Sequence, residues 1–189
     1  FPDANGVYPN NPFGASNPLQ TRDLVTNNEK VNRFITGGSA DISIYRDDHS
    51  DLKAIVKTGL DYYTFATRAI FPKDLQFESV NGGDNGVSVQ GTTENKNTSY
   101  SAFLVHNYRT DNNVNYRTQA GLTKETFSRN SILSTAKDLI GSETNLDQAG
   151  SLQVEQTRLE QKDAGFFAQE EVNFKDQFIA TLGKIGRAS

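Results

Sequence analysis

The sequence has no cysteine, so it can form neither a disulfide framework nor a thiolate metal site. It has no long apolar run either; none approaches the ~18 residues that a transmembrane helix needs. Barrel strands of about 9–11 residues escape that test, because they alternate in polarity. Phe1-Pro2-Asp3 lacks the basic and apolar regions of a signal peptide; a mature, processed or excised chain would look the same. No basic cluster with interleaved aromatics occurs, and the formal net charge is -4, so nucleic acid is not expected as a partner. Leu, Ile and Val are sparse, and the hydrophobic fraction is only 35%. A helical bundle does not suit these absences. What is abundant is Asn, Thr, Ser, Gly and Tyr. That profile fits a polar all-β protein, or a barrel whose strands place every second residue on a wet interior. The length allows one ordinary domain with a real core.

Proline is confined. Of 5 prolines, all but Pro72 lie in residues 1–30, among the turn signals Asn5-Gly6, Pro9-Asn10-Asn11-Pro12 and Asn17-Pro18. This opening stretch is expected to be an irregular loop segment. From Val31 onward the apolar period is two. Strands are expected at about 31–45, 51–65, 99–108, 114–126, 162–172 and 177–187. In the second, Leu52, Ala54, Val56, Leu60 and Tyr62 alternate with Lys53, Lys57, Gly59 and Asp61. In the fourth, Tyr116, Thr118, Ala120 and Leu122 alternate with Asn115, Arg117, Gln119 and Thr123. In the fifth, Ala164, Phe166, Ala168 and Val172 alternate with Asp163, Gly165, Gln169 and Glu171. Phe103 and Val105 blur the third strand. Ile132, Leu133, Ala136, Leu139 and Ile140 have helical spacing and are closed by Gly141. They predict one short amphipathic helix capped by Ser131.

The connections alternate short, long, short, long, short. Two long ones, of about thirty residues, run from Arg68 to Asn97 and from Ser128 to Gln161. Outer-membrane barrels show this asymmetry, with short periplasmic turns and long extracellular loops. Tyr108, Tyr116, Phe174 and Phe178 flank two of the short turns on the apolar face, where an interfacial aromatic girdle would sit. The plain alternative is that Tyr and Phe favour strands anyway. On the other face, Lys53, Lys57, Asp61, Arg117, Gln119, Glu125, Asp163, Gln169 and Glu171 would stay hydrated. Facing hydrocarbon, a mid-strand Lys or Arg would cost roughly 2–4 kcal/mol. Glu170 has the parity of the apolar face but lies near a short turn, where that penalty fades.

Four runs resemble the barrel of SusC/RagA-type TonB-dependent outer-membrane transporters. They are Asn17-Pro18-Leu19 with Val31-Asn32-Arg33-Phe34 and Gly59-Leu60-Asp61-Tyr62-Tyr63; Phe71-Pro72 with Asp74-Leu75-Gln76-Phe77-Glu78; Gln119-Ala120-Gly121-Leu122; and Gly165-Phe166-Phe167-Ala168-Gln169-Glu170-Glu171 continuing into Phe174-Lys175-Asp176-Gln177-Phe178. Where that family has an Arg-x-Asp-x-Ser-Ser-like stretch, this chain reads Lys184-Ile185-Gly186-Arg187-Ala188-Ser189, without the Asp. The resemblance implies an all-β fold of antiparallel up-and-down strands from a transmembrane β-barrel, with residues 31–189 as a middle section of the barrel. About six strands cannot enclose a transporter-sized pore, because diameter grows with strand number. The resemblance further implies import of large nutrients, glycan oligomers or peptides, across a bacterial outer membrane. The implied partners are outer-membrane lipid, a surface substrate-binding lipoprotein and TonB, whose contacts lie outside these residues.

No chemistry-bearing constellation competes with this. His49 and His106 are the only histidines and have no metal-ligand spacing. Glu170 and Glu171 are adjacent on a strand and point to opposite faces, so they cannot serve one substrate. Asp47-Asp48 and Asp84 lack the pattern of a calcium loop and read as solvated turn residues. Gly82, Gly83 and Gly86 are not followed by a helix, so they are no phosphate loop. Asn97-Thr98-Ser99 matches a glycosylation sequon, without consequence in a bacterium. No nucleophile motif appears. No enzyme activity, cofactor, metal or catalytic residue is expected, and no substrate-binding residue can be named. A second function class stays open: a soluble all-β binding module, such as a carbohydrate-binding sandwich, whose apolar faces would meet in a dry core.

Overall fold

The computed structural model describes residues 2–79, 82–141 and 144–188. Six strands follow one another: β1 (Thr26–Arg46), β2 (Ser50–Phe71), β3 (Val87–Arg109), β4 (Val114–Leu139), β5 (Ala149–Phe174) and β6 (Phe178–Ala188). Two short helices accompany them, α1 (Pro18–Leu24) and α2 (Gln76–Ser79). The strands form one antiparallel six-stranded sheet whose spatial order is the sequence order, β1 to β6. This up-and-down meander is consistent with a section of a barrel. A sandwich needs a second sheet, and the described strands make one.

Contacts divide the chain into two compact units, and β1 to β5 contribute residues to both. The unit made of 33–62, 95–129 and 159–189 contains the three tight turns. In the first, the Asp47 carboxylate accepts from the backbone N–H groups of His49 and Ser50, at 2.8 and 2.6 Å. The second turns on Asn113, whose φ of 64° is left-handed. The third has left-handed residues at both centres, Lys175 (φ 52°) and Asp176 (φ 58°), and is closed by Gln177 N–H donating to the Phe174 carbonyl at 3.0 Å. Such a mirror-image turn matches the right-handed twist of the flanking strands. It is bought here without glycine, but Asn173 Oδ1 accepts from the Asp176 N–H at 3.0 Å and holds the bend. Backbone bonds join the turns: Arg109 N–H donates to the His49 carbonyl, and Lys175 N–H to the Asn113 carbonyl.

The other unit comprises 1–32, 63–94 and 130–158. It holds both helices, the connections 72–86 and 140–148, and a small core in which Leu75 and Ala136 are fully buried. Residues 1–30 are not wholly irregular as expected. Asn17 accepts from the N–H groups of Leu19 and Gln20, and Pro18 occupies the first helical turn, so α1 forms and β1 starts at Thr26.

The expected helix at 131–140 is instead the end of β4. Ser131 pairs with Thr93 hydroxyl to hydroxyl at 2.8 Å, as strand neighbours do. The misleading three-residue step from Ala136 to Leu139 has a local cause. Asp138 is left-handed (φ 59°), and one such residue in a strand shifts the alternation. The two long connections are likewise shorter than expected, and the strands longer. Residues 87–99, 128–139 and 149–161 are rich in Ser, Thr, Asn and Gln, so polarity alternates only in short stretches such as 87–90 and 152–155, yet the neighbouring strands pair with them.

Candidate functional site

The candidate site is the sheet surface of the turn-bearing unit, which has two chemically distinct faces. Successive strand residues point to opposite sides, so even-numbered and odd-numbered positions separate. Val56, Leu104, Leu122 and Phe166 are 46%, 50%, 64% and 50% exposed. Together with Ala54, Ala102, Ala120 and Ala168 they line a shallow apolar concavity of about 530 Å³. These side chains do not close on one another as a dry core would. Small alanines between larger neighbours leave the dent. The aromatic rings near the turns extend the same face: His106 lies 6.5 Å from Tyr108, and Tyr108 6.3 Å from Tyr116.

The opposite face is wet but not uniformly polar. Arg33 forms a two-pronged ion pair with Asp61, at 2.9 and 2.5 Å. Arg187 donates to Asp163 at 2.8 Å. Both pairs are solvent-exposed, where screening leaves each contributing little to stability. Between the charges lies an aromatic pair, Phe103 and Phe167, with centroids 5.6 Å apart. The Lys57 ammonium stands 6.0 Å above the Phe103 ring. The pairing was not legible in advance; Phe103 merely disturbed the alternation.

The residues weighed for chemistry are dispersed. His49 Nδ1 lies 3.2 Å from the Arg109 carbonyl, and His106 Nε2 lies 2.8 Å from Ser50 Oγ, so both histidines serve the turns. Asp47 caps its own turn, and the hydrogen bond from Tyr45, followed by the backbone bonds, holds its carboxyl below the usual carboxylate range. Asp84 pairs with Lys137 at 2.9 Å. Gly82 and Gly86 are left-handed loop residues, and Asn97-Thr98-Ser99 lies inside β3. Among the described residues no His/Cys/Asp/Glu group could hold a metal. Asn81, within the long connection expected from Arg68 to Asn97, lies outside the described residues.

What sequence reasoning missed is an amide cluster in the helix-bearing unit. Gln76 Oε1 accepts from Asn11 N–H at 2.8 Å, while Gln76 Nε2 donates to the carbonyls of Asn11 and Gly14. Gln20 Nε2 donates to the Asp74 carbonyl at 2.6 Å and its Oε1 accepts from Gln76 N–H at 2.9 Å. The Glu78 carboxylate accepts from Asp84 and Gly86 N–H. Asn17, Gln20, Gln76 and Glu78 are all buried. The turn signal Asn17-Pro18 and the run Asp74-Leu75-Gln76-Phe77-Glu78 fall in this cluster, but neither pointed to the amide contacts.

Two-faced strands in this order have counterparts among solved structures. The fold is similar to part of a peptide transporter. Against the structure of the RagAB peptide transporter the TM-score is 0.77 at 14% identity, covering 90% of this chain and 18% of that one. Against the RagAB peptide importer in its 'open-open' state the TM-score is 0.75 at 15% identity, again covering 90% and 18%. Against the 'closed-closed' state it is 0.61 at 13% identity, covering 87% and 20%. Likeness at these identities carries the fold alone, and the chain spans about a fifth of those chains. No family model and no curated protein matches the sequence.

Proposed function

We propose that the chain is a wall segment of a SusC/RagA-type TonB-dependent β-barrel in a bacterial outer membrane, and that the whole protein imports peptides or glycan oligomers. The observation that carries this is the exposed apolar face of Val56, Leu104, Leu122 and Phe166, backed by a face carrying ion pairs. Water on both sides would leave that apolar area uncompensated; lipid on one side removes the cost. The strand order and the likeness to RagAB transporters support the same assignment. On this basis residues 31–189 belong to the barrel, and the tight turns face the periplasm. The connections 72–86 and 140–148 face outward, toward a surface lipoprotein. TonB engages parts of the protein outside this segment.

The segment has no cysteine, which permits single-cysteine labelling. In the full-length protein in outer-membrane vesicles, Leu122→Cys should react with a lipid-soluble probe and resist a charged one. Gln119→Cys should do the reverse. Uptake of a fluorescent peptide or oligosaccharide should vanish when TonB is deleted. Equal labelling of both cysteines by the charged probe would contradict membrane insertion. Undiminished uptake without TonB would contradict energised import.

A further inference from the structure

On the turn side of the concavity the apolar face carries two opposite charges that its alternation does not call for; Lys124 and Lys162 share the parity farther from the turns. In the β5–β6 register Ala168 stands directly opposite Lys184, and Glu170 directly opposite Leu182. Directly opposed residues share a face, and so do residues two apart on one strand. Glu170 and Lys184 therefore lie on the face of Phe166 and Ala168, as diagonal neighbours about 7–8 Å apart at the backbone. Among the described residues no ion pair joins them. They border the apolar concavity of about 530 Å³ on its turn side, since Ala168 and Phe166 line it and Glu170 lies toward the turn at 175–177. The concavity is shallow and open, and no charged side chain lines it.

Near a short turn the cost of a charge facing lipid is reduced, and two opposite charges beside an apolar dent describe a complementary ligand there. We infer that this is a binding site for a zwitterionic phospholipid of the phosphatidylethanolamine type: Lys184 holds its phosphate, Glu170 its ammonium, and one acyl chain lies in the dent. The inference rests on the membrane reading above. Lys184 donates a charge-assisted hydrogen bond to a phosphate oxygen, and Glu170 accepts one from the lipid ammonium. The head lies toward the tight turns and the chain runs away from them, the orientation of a lipid in the leaflet on the turn side. An anionic lipid without an amine satisfies Lys184 only and leaves Glu170 repelling it.

The test uses the full-length protein in nanodiscs containing phosphatidylethanolamine and phosphatidylglycerol, with retained lipids counted by native mass spectrometry during graded delipidation. The wild type should retain one phosphatidylethanolamine preferentially. Glu170→Gln and Lys184→Gln should each weaken retention about tenfold, the worth of one charge-assisted bond. Leu122→Trp, which fills the dent and touches neither charge, should do the same. Equal retention by all four proteins overturns the site. So does equal retention of both lipids by the wild type, the result expected if Glu170 and Lys184 simply pair with each other. A bimane label at Leu122→Cys separates the two levels of inference. Quenching by a lipid-borne quencher without preferential retention removes only the lipid site; no quenching removes the membrane face as well.

Discussion

The rings of Phe103 on β3 and Phe167 on β5 meet across an intervening strand, 5.6 Å between centroids, because β4 presents Gly121 between them. A side chain at 121 would occupy the space both rings fill. Gly121→Val should therefore separate the rings and cost about 1–3 kcal/mol in overpacking, with about 0.5–1.5 kcal/mol more from the lost ring pair. Urea unfolding of the full-length protein in detergent measures it. An unchanged midpoint would mean that the rings contribute nothing there.

Parity makes a sharper demand. Leu122→Arg should destabilise the folded protein in a bilayer by about 2–4 kcal/mol, whereas Gln119→Arg should fall close to zero. Heat-modifiable gel mobility after folding into vesicles separates the two. Equal effects would mean that the two faces see the same solvent.

Gln76→Ala removes three side-chain hydrogen bonds that tie Asn11 and Gly14 to α2. Leaving buried partners unmet should cost about 1–3 kcal/mol, paid locally. Faster deuterium uptake at residues 9–20, with uptake in the turn-bearing unit unchanged, is the expected result.

Asp23 gives a pH dependence. Bonds from Arg22 first, and then from Tyr8, lower its carboxyl from 3.8 to about 2. A depressed carboxylate stabilises the folded form above the ordinary value and loses that contribution as pH falls through the folded one. The Tyr8–Asp23 tether, 2.6 Å, should thus hold at neutral pH and be lost between about pH 4 and pH 2. Asp23→Asn should open it at every pH. Deuterium uptake of residues 3–9 across that range reads both.

At the β5–β6 turn, Lys175 and Asp176 hold left-handed conformations, which Lys resists and which Gly and Asn adopt more readily than Asp. The pair Lys175→Asn, Asp176→Gly should stabilise the hairpin by about 1 kcal/mol, seen as a higher urea midpoint. A lower midpoint would show that the bond from Asn173 Nδ2 to the Asp176 carboxylate, 2.9 Å, matters more than the backbone strain.

The sequence by itself determined the class of this chain and its two-faced strands. Alternation at Leu52–Tyr62, Tyr116–Leu122 and Ala164–Val172 fits a pleated strand with unlike surroundings on its two faces, and the tight turns announce themselves in Asp, Asn and Lys. The strand extents, the left-handed Asp138, the Phe103–Phe167 contact and the Gln20–Gln76 cluster were decided by tertiary structure alone. The physical reason is common to them. Where both faces are polar, or where one glycine or amide must meet a residue far away in sequence, the local pattern carries no periodic signal. The partner strand's hydrogen bonds and packing then choose the conformation.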